Sequence, residues 1–421
     1  MYDLHLSSEQ LEMRDTVRDF VEREIKPIAL NPDRLQPFEK PLLLDLLDQA
    51  SQLGLRAIAL SEEAGGAGAD RLTTCIILEE LAAGDPDIAV VLAHTSALAR
   101  TLFEQMMTPA QHSHFLPLFQ QDDRYHLAFA GQDQSADIGW CYHRPLTADA
   151  SNPLNAAKQS NGDWIINGSV PGVANAPIAK LFAIQVSTDP NTTGFNGLST
   201  LLVPRDTPGF TVGEPPRAVG ESGVNGEPVN SWYHGTVAGL QFEDCRVSAE
   251  ALLGEQGQNP IADIANKICG AAELAAINLG IGRAAYETAL DYTKMRRQGG
   301  RNIVEHQAIG SILADCALKL ELARSSIWKA AWFADHPDAT AQHNPSEIPL
   351  QDVARIYTAE VVHDITLSAS ECFGAMGVMR DMPLQKYIQD GLVFLHAESN
   401  DSAKQLRIAE AVAGYRRPLN A

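Results

Sequence analysis

Long apolar runs are missing from this chain. Nowhere do about 18 apolar residues follow one another, and the start MYDLHLSSEQLEM has no basic stretch leading into an apolar one. Neither membrane insertion nor export is indicated, so a cytoplasmic location is expected. Cysteine is sparse and scattered. Cys75, Cys141, Cys245, Cys269, Cys316 and Cys372 make no CxxC pair and no Cys/His set at zinc spacing, which predicts reduced packing thiols and no metal site. Positive charge is in deficit, with 32 Lys and Arg against 53 Asp and Glu and a net charge of -21. A general affinity for nucleic acid or anionic membrane needs a cationic surface, so both are excluded, and a polyanionic ligand must find a local basic cluster. G-x-G-x-x-G after a strand, the P-loop pattern, the G-x-S-x-G elbow and a Ser/His/Asp order are also absent. Rossmann, P-loop and hydrolase chemistry are therefore not signalled.

What is present is ordinary globular composition over 421 residues, 45% hydrophobic and 20% charged, long enough for about two to three domains. Ser7 followed by Gln10 can form a capping box, and Leu11, Val17, Phe20, Val21 and Ile25 recur at roughly helical spacing. Further periodic stretches at 42–55, 73–83 and 88–103, separated by Gly/Asp/Pro breaks, make the first 120 or so residues read as all-helical. From 126 to 245 glycine, proline and asparagine become frequent, with β-type runs at 164–166, 181–186, 199–203 and 209–212. The turn formers of 189–235 predict long surface loops. Helical texture returns at 261–297, 305–335, 350–373 and 393–413, and Ile309, Leu313, Cys316 and Leu320 form one apolar stripe. Four such helices pack as an antiparallel bundle. The expected class is α+β: an N-terminal helical domain (1–124), a small middle β domain (125–250) and a C-terminal four-helix bundle (251–421).

Two places could carry chemistry. Lys294, Arg296, Arg297 and Arg301 gather four cations in eight residues of an acidic protein. Arginine forks suit phosphate oxygens, but cations also favour a helix C-terminus, and Gly299-Gly300 is a natural helix stop; both readings stand. Glu398 follows the apolar run Leu392-Val393-Phe394-Leu395, a setting that can raise a carboxyl pKa toward the range of a general base. Most glutamates are nevertheless solvated, and Glu371, Glu398 and Glu410 are not ranked by pattern alone. His94, His306 and His396 read as ordinary surface or core histidines.

The order helical domain, β domain, four-helix bundle resembles the acyl-CoA dehydrogenase family, and several stretches match that family's patterns. Trp164-Ile165-Ile166-Asn167-Gly168, the run 202–210 and Phe242-Glu243-Asp244-Cys245-Arg246-Val247 are similar to its β-domain motifs. Residues 304–324 look like the medium-chain members. The resemblance implies FAD, an acyl-CoA substrate, an electron-transfer flavoprotein as acceptor, and a tetramer. It puts Glu398 on the catalytic glutamate, which removes the α proton of the acyl-CoA while the β hydrogen leaves as hydride to flavin. It puts Arg296 on the arginine that reaches the FAD pyrophosphate of a neighbouring subunit. His306, Gln307 and Gly374 match flavin contacts supplied across the same boundary. Gly131, Ala174, Ala375 and Asn400 occupy further cofactor positions, and Ser135 a substrate position.

The departures from the family are concentrated around the flavin. Where the family has Thr-Glu-Pro-x-x-Gly-Ser-Asp, this chain has Gly131-Gln132-Asp133-Gln134-Ser135-Ala136-Asp137; where it has Trp-x-Thr, this chain has Gly172-Val173-Ala174. Gly299, Glu371, Ala375 and Ala271 replace family Phe, Gln, Gly and Arg. Contacts to a flavin held by the chain itself are eroded, whereas the arginine offered to a neighbour survives. Three alternatives to a homotetrameric dehydrogenase follow: a subunit of a heteromer with weak or no flavin of its own, a flavin oxidase or monooxygenase on the same fold, and a non-catalytic partner subunit.

Overall fold

Ser7 caps the first helix in both directions: its hydroxyl accepts from the Gln10 N–H, and its own N–H donates to the Gln10 side chain. The computed structural model describes residues 5–32, 42–131, 154–189, 197–213, 234–257, 270–339, 348–379, 381–396 and 401–414. Helices α1 (Ser8–Phe20), α2 (Leu44–Gln52), α3 (Arg71–Gly84), α4 (Pro86–Ala99) and α5 (Pro109–Gln121) form the N-terminal part. Each of α3 and α4 starts on an aspartate. Asp70 accepts from Thr73 N, and Asp85 accepts from Asp87 N and Ile88 N, with Pro86 at the first helical position. Helix α3 is buried on nearly every face because α1 lies on one side and the C-terminal helices on the other.

The sheet is built from β1 (His126–Ala130), β2 (Leu154–Lys158), β3 (Trp164–Ala174), β4 (Ala179–Ser187), β5 (Leu198–Pro204), β6 (Phe210–Val212), β7 (Val237–Val247) and β8 (Leu252–Leu253). Its order is β6-β7-β3-β2-β4-β5-β8, with β1 parallel to β4 off that path. All four expected β runs are strands, β3 extending on to Ala174. Strand β4 is apolar on both faces because it serves two cores. Phe182, Ile184 and Val186 pack with Ile166, Leu240 and Phe242, while Leu181 and Ala183 pack under Leu98, Leu102 and Phe119 of the helices.

Helices α6 (Ala271–Met295), α7 (Gln307–Asp335), α8 (Leu350–Phe373) and α9 (Leu384–His396) form the bundle, and α10 (Asp401–Ala413) follows. Helices α6 and α8 run parallel, because Ala272 N bonds the Gln351 side chain and Gly282 faces Val362 ten residues further along. Helix α9 runs against α8, since Gly391 faces Val362 while the Phe394 carbonyl meets Arg355. The stripe Ile309, Leu313, Cys316 and Leu320 faces inward as expected. Cys75, Cys245, Cys316 and Cys372 are buried free thiols, and burial pushes Cys245 and Cys316 up to about 11. Cys141 and Cys269 lie outside the described residues.

Two helix expectations need correcting. The helix expected at 393–413 starts earlier: α9 begins at Leu384, and residues 397–400 lie outside the described residues. Its first turns hide from a pattern search because Lys386 and Asp390 interrupt the apolar spacing, yet both are buried as an i,i+4 pair. Helix α6 stops at Met295 rather than at Arg297, and Gly299-Gly300 is not its stop. Arg296 turns extended, and the two glycines, at φ 62° and 83°, close a hairpin between β9 (Arg297–Gln298) and β10 (Arg301–Asn302).

A buried ion network joins the N-terminal helices to the bundle. Helix α6 crosses α3 so closely at Gly280 that a Cβ there would lie 2.4 Å from the Glu79 carbonyl. One turn on, Arg283 meets Glu79 at 3.0 Å, Glu80 at 2.7 Å and Glu287 at 3.1 Å; Arg324 reaches Glu79 and Arg18 reaches Glu80. Burial opposes the Arg283 charge, and the three carboxylates outweigh it, so its pKa is raised. Arg283→Met should destabilise the fold by about 3–5 kcal/mol, because Glu79 and Glu80 remain buried without their shared cation. Urea unfolding midpoints test this, and a loss below about 1 kcal/mol would count against the network.

Candidate active site

The three parts of the fold meet at the N-terminus of α4. Asp87, in the first turn of α4, accepts through one oxygen from Gly235 N at 3.0 Å and from His234 Nδ1 at 2.9 Å. The opposite ring nitrogen, His234 Nε2, lies 2.9 Å from the Asp390 carbonyl oxygen of α9. The Asp390 carboxylate pairs with Lys386 one turn back, and both side chains are 3% exposed. Phe394, one turn further along α9, stacks on the His234 ring at 4.8 Å and 28°. Arg355 of α8 lies over the Phe394 ring at 5.1 Å and donates from Nη2 to the Phe394 carbonyl at 3.0 Å. Burial disfavours charge on His234 and on Lys386. The Asp87 hydrogen bond and the Asp87 and Asp390 charges raise His234 above its usual value regardless, and Asp390, Asp85 and Asp87 do the same for Lys386.

Beside this junction, at the ends of β1 and β3, lies a second polar cluster. Asn175 takes φ 62°, and its Nδ2 donates to the Val91 carbonyl and to Thr95 Oγ, both at 3.1 Å. Thr95 Oγ also meets His126 Nδ1 at 3.1 Å. Burial first, and Arg56 second, push His126 down to about 3, so the ring is neutral. The small residues Gly131 and Ala174 are half-buried on the neighbouring strand ends, and Gly172 is exposed.

The third cluster is at the far end of the bundle. Arg296 is exposed, and no side-chain hydrogen bond or ion pair engages it among the described residues. His306 caps α7, its Nε2 at 3.0 Å from the Gln298 carbonyl oxygen, and Gln307 is exposed on the first helical position. Gly374, at φ 57°, ends α8, and Ala375 beside it is exposed. Tyr292 stacks on Phe373 at 3.9 Å and 12°, tying the ends of α6 and α8 together. Arg296, His306, Gln307, Gly374 and Ala375 therefore share one end. Phe394 sits at the level of Arg355, hence near Ala275 of α6, and some twenty residues of helix separate that level from Arg296, roughly 30 Å.

Glu398, Asn400 and Ser135 lie outside the described residues; Glu398 follows His396, the last residue of α9, by two positions. Sequence reasoning missed Asp87, His234, Arg355, Lys386, Asp390 and Asn175. Asp85-Pro86-Asp87 was readable as a helix start, and Lys386/Asp390 as an i,i+4 pair; His234 and Asn175 gave no signal, because only tertiary contacts give them partners. Among the described residues no group of three or more His, Cys, Asp or Glu is placed to hold a metal ion, and no helix is long and apolar enough to cross a membrane.

A helical layer, a mixed sheet and a helical bundle in that order define a known class of flavin-dependent oxidoreductases. Residues 7–122, 147–230 and 269–412 match the N-terminal, middle and C-terminal domain models of acyl-CoA dehydrogenase. The chain is 28% identical over 412 residues to the probable acyl-CoA dehydrogenase FadE25 of Mycobacterium tuberculosis, covering 97% of this chain and 96% of that one. It is 27% identical to the rat mitochondrial short-chain specific acyl-CoA dehydrogenase, covering 94% of this chain and 88% of that one. The butyryl-CoA dehydrogenase structure from Megasphaera elsdenii superposes with a TM-score of 0.78 at 25% identity, covering 98% of this chain and 100% of that one. The chain belongs to the acyl-CoA dehydrogenase family.

The neutral His126 gives the fold an acid-side weakness. Its folded pKa of about 3 lies below the unfolded value, so the stability it contributes is complete above pH 6.5 and is lost as pH falls toward 3. Unfolding free energy should fall by up to about 1.4 kcal/mol per pH unit in that window from this group, and His126→Asn should flatten the slope. Urea titrations at pH 4, 5, 6 and 7 measure it; equal slopes for both proteins would show that His126 is not the titrating group.

Proposed function

We propose that this protein dehydrogenates an acyl-CoA at its α and β carbons, with Glu398 as the base. The carboxylate takes the α proton, the electron pair left behind forms the new C=C bond, and the β hydrogen departs with its own pair. When bound, FAD supplies the acceptor for that hydride. Family membership supports the reading, and one observation carries it: Glu398 follows directly on α9, whose last two turns are held by buried partners from the sheet loop and from α8. Such anchoring suits a base that must meet its proton within hydrogen-bond reach. With domain boundaries proposed at 124/125 and 250/251, Asp87, His234 and Asp390 come one from each domain.

The donor set fits a flavin at the Arg296 end, where the exposed fork can meet phosphate oxygens; at the ends of β1 and β3, Gly131 and Ala174 offer no side-chain donor, and the place a Cβ of Gly131 would take is filled by the Phe129 ring at 2.6 Å. The roughly 30 Å between the Arg296 end and the α9 end supports the reading that Arg296, His306, Gln307, Gly374 and Ala375 serve the cofactor of a neighbouring subunit. Ala174, Asn400 and Gly131 would then face the chain's own cofactor, and Ser135 the substrate; an electron-transfer flavoprotein is the proposed acceptor.

A second reading has its own observation. The ends of β1 and β3 carry Gly131, Gly172 and Ala174, none of which has a side-chain donor for a flavin. A subunit that holds FAD weakly and works beside a flavin-competent relative accounts for that.

Glu398→Gln should retain the flavin content of the wild type and lose 10²- to 10⁴-fold in kcat, read by dye reduction with a panel of acyl-CoAs. Full activity in that variant would remove the base assignment. Arg296→Ala should lower the ratio of flavin to protein absorbance after gel filtration; an unchanged ratio would show that Arg296 does not hold the cofactor.

A further inference from the structure

The hydrogen bonds of His234 fix its charge. Asp87 Oδ1 accepts the Gly235 N–H as well as facing His234 Nδ1, an arrangement that favours its ionised form, and the Asp390 carbonyl has no proton to give. With acceptors at both nitrogens, a neutral ring would turn one lone pair toward an oxygen. The ring is therefore an imidazolium. The charged groups around it come from three helices: Asp85 and Asp87 from α4, Lys386 and Asp390 from α9, and Arg355 of α8 across the Phe394 ring. Lys386 is committed to Asp390. The His234 charge adds to the Lys386 ammonium among the carboxylates of the buried Asp85 and Asp390 and the half-buried Asp87.

Phe394 is the part of α9 that this cation holds. Its ring lies against the His234 imidazolium and has the Arg355 guanidinium over it as well, so two planar cations from different parts of the fold meet one aromatic ring. Arg355 also donates to the Phe394 carbonyl at 3.0 Å, so the same guanidinium holds both the ring and the backbone of that turn. Both contacts fall four residues before Glu398.

We propose that His234 is a positioning residue: as an imidazolium bridging Asp87 to the Asp390 carbonyl and stacked on Phe394, it locks the end of α9 and so sets where the Glu398 segment begins. This rests on the reading of Glu398 as the base. The lock is closed while the ring is protonated and opens as pH rises through its folded pKa.

Three measurements test it. In ¹⁵N-histidine spectra, assigned by difference against His234→Gln, both ring nitrogens should be protonated at pH 7.5; a neutral ring there overturns the proposal. His234→Gln should lower kcat about 10- to 100-fold with KM and flavin content within about twofold, and should lack the alkaline fall in kcat expected of the wild type. Wild-type kcat with an unchanged pH profile, or a change confined to KM, overturns it. Should that variant fail to fold, Arg355→Met against Arg355→Lys decides: the lysine variant should keep most of kcat and the methionine variant should not, while equal loss in both overturns the proposal. Glu398→Gln assayed alongside separates the two ideas. If that variant is fully active, the base reading fails, and slow hydrogen exchange along α9 that His234→Gln accelerates still supports the lock; no acceleration overturns it.

Discussion

Three carboxylates meet in the dry junction at the start of α4, and the rest of the arrangement depends on how their charge is balanced. Asp85 is spent on the helix it caps, Asp390 on Lys386, and Asp87 on a histidine from the sheet and the backbone beside it. An unpaired buried carboxylate would cost several kcal/mol, so this junction forms only when helix, sheet loop and bundle are all in place. Lys386, raised above 10.5, keeps its charge throughout the neutral range. Among the described residues of the junction, His234 is the titratable base whose ordinary pKa lies near neutrality, and its raised pKa ties the junction to pH.

The same logic recurs further along α3. Arg283 shares Glu79 and Glu80 with Arg324 and Arg18, and the geometry at Gly280 brings α6 near enough for the fork to reach. Apolar burial holds the layers together non-directionally, over an area no single residue controls. The ion networks add what apolar burial lacks, namely one register between α3 and α6 and one angle between α4 and α9. Whether they add net stability over apolar replacements is a separate matter from the specificity they impose.

Most of the fold was legible in the sequence because the main signals are local. The Ser7–Gln10 capping box, the short apolar runs of β4 and β5 and the stripe on α7 each follow from residues within a few positions of one another. The failures have a common cause. Helix α9 was placed nine residues late because buried Lys386 and Asp390 look like surface residues until each is seen as the other's partner. The end of α6 was placed late because two glycines signal a turn without saying whether it ends a helix or closes a hairpin. Arg296, His306, Gln307 and Gly374 were proposed through family resemblance, and the structure brings them to one end of the bundle. His234, Asn175 and Arg355 were invisible, because their partners are at least 39 residues away along the chain.

Those two ends of the bundle constrain how any flavin chemistry is organised. The β9–β10 hairpin and the Phe394 turn of α9 are separated by most of the length of α6, and a rigid helix does not shorten. A single cofactor touching both must therefore take one from each of two chains, or touch only one. For a cofactor shared in that way, the flavin-facing departures on β1 and β3 and the surviving Arg296 are no contradiction. They are carried on surfaces that serve different cofactors, and a change at one leaves the other intact. A related subunit that keeps the family's strand-end side chains could thus use this chain's Arg296 fully, while returning its own arginine to a site with fewer donors. The asymmetry would lie in the strands, not in the bundle, and it is the bundle that the ion networks keep rigid.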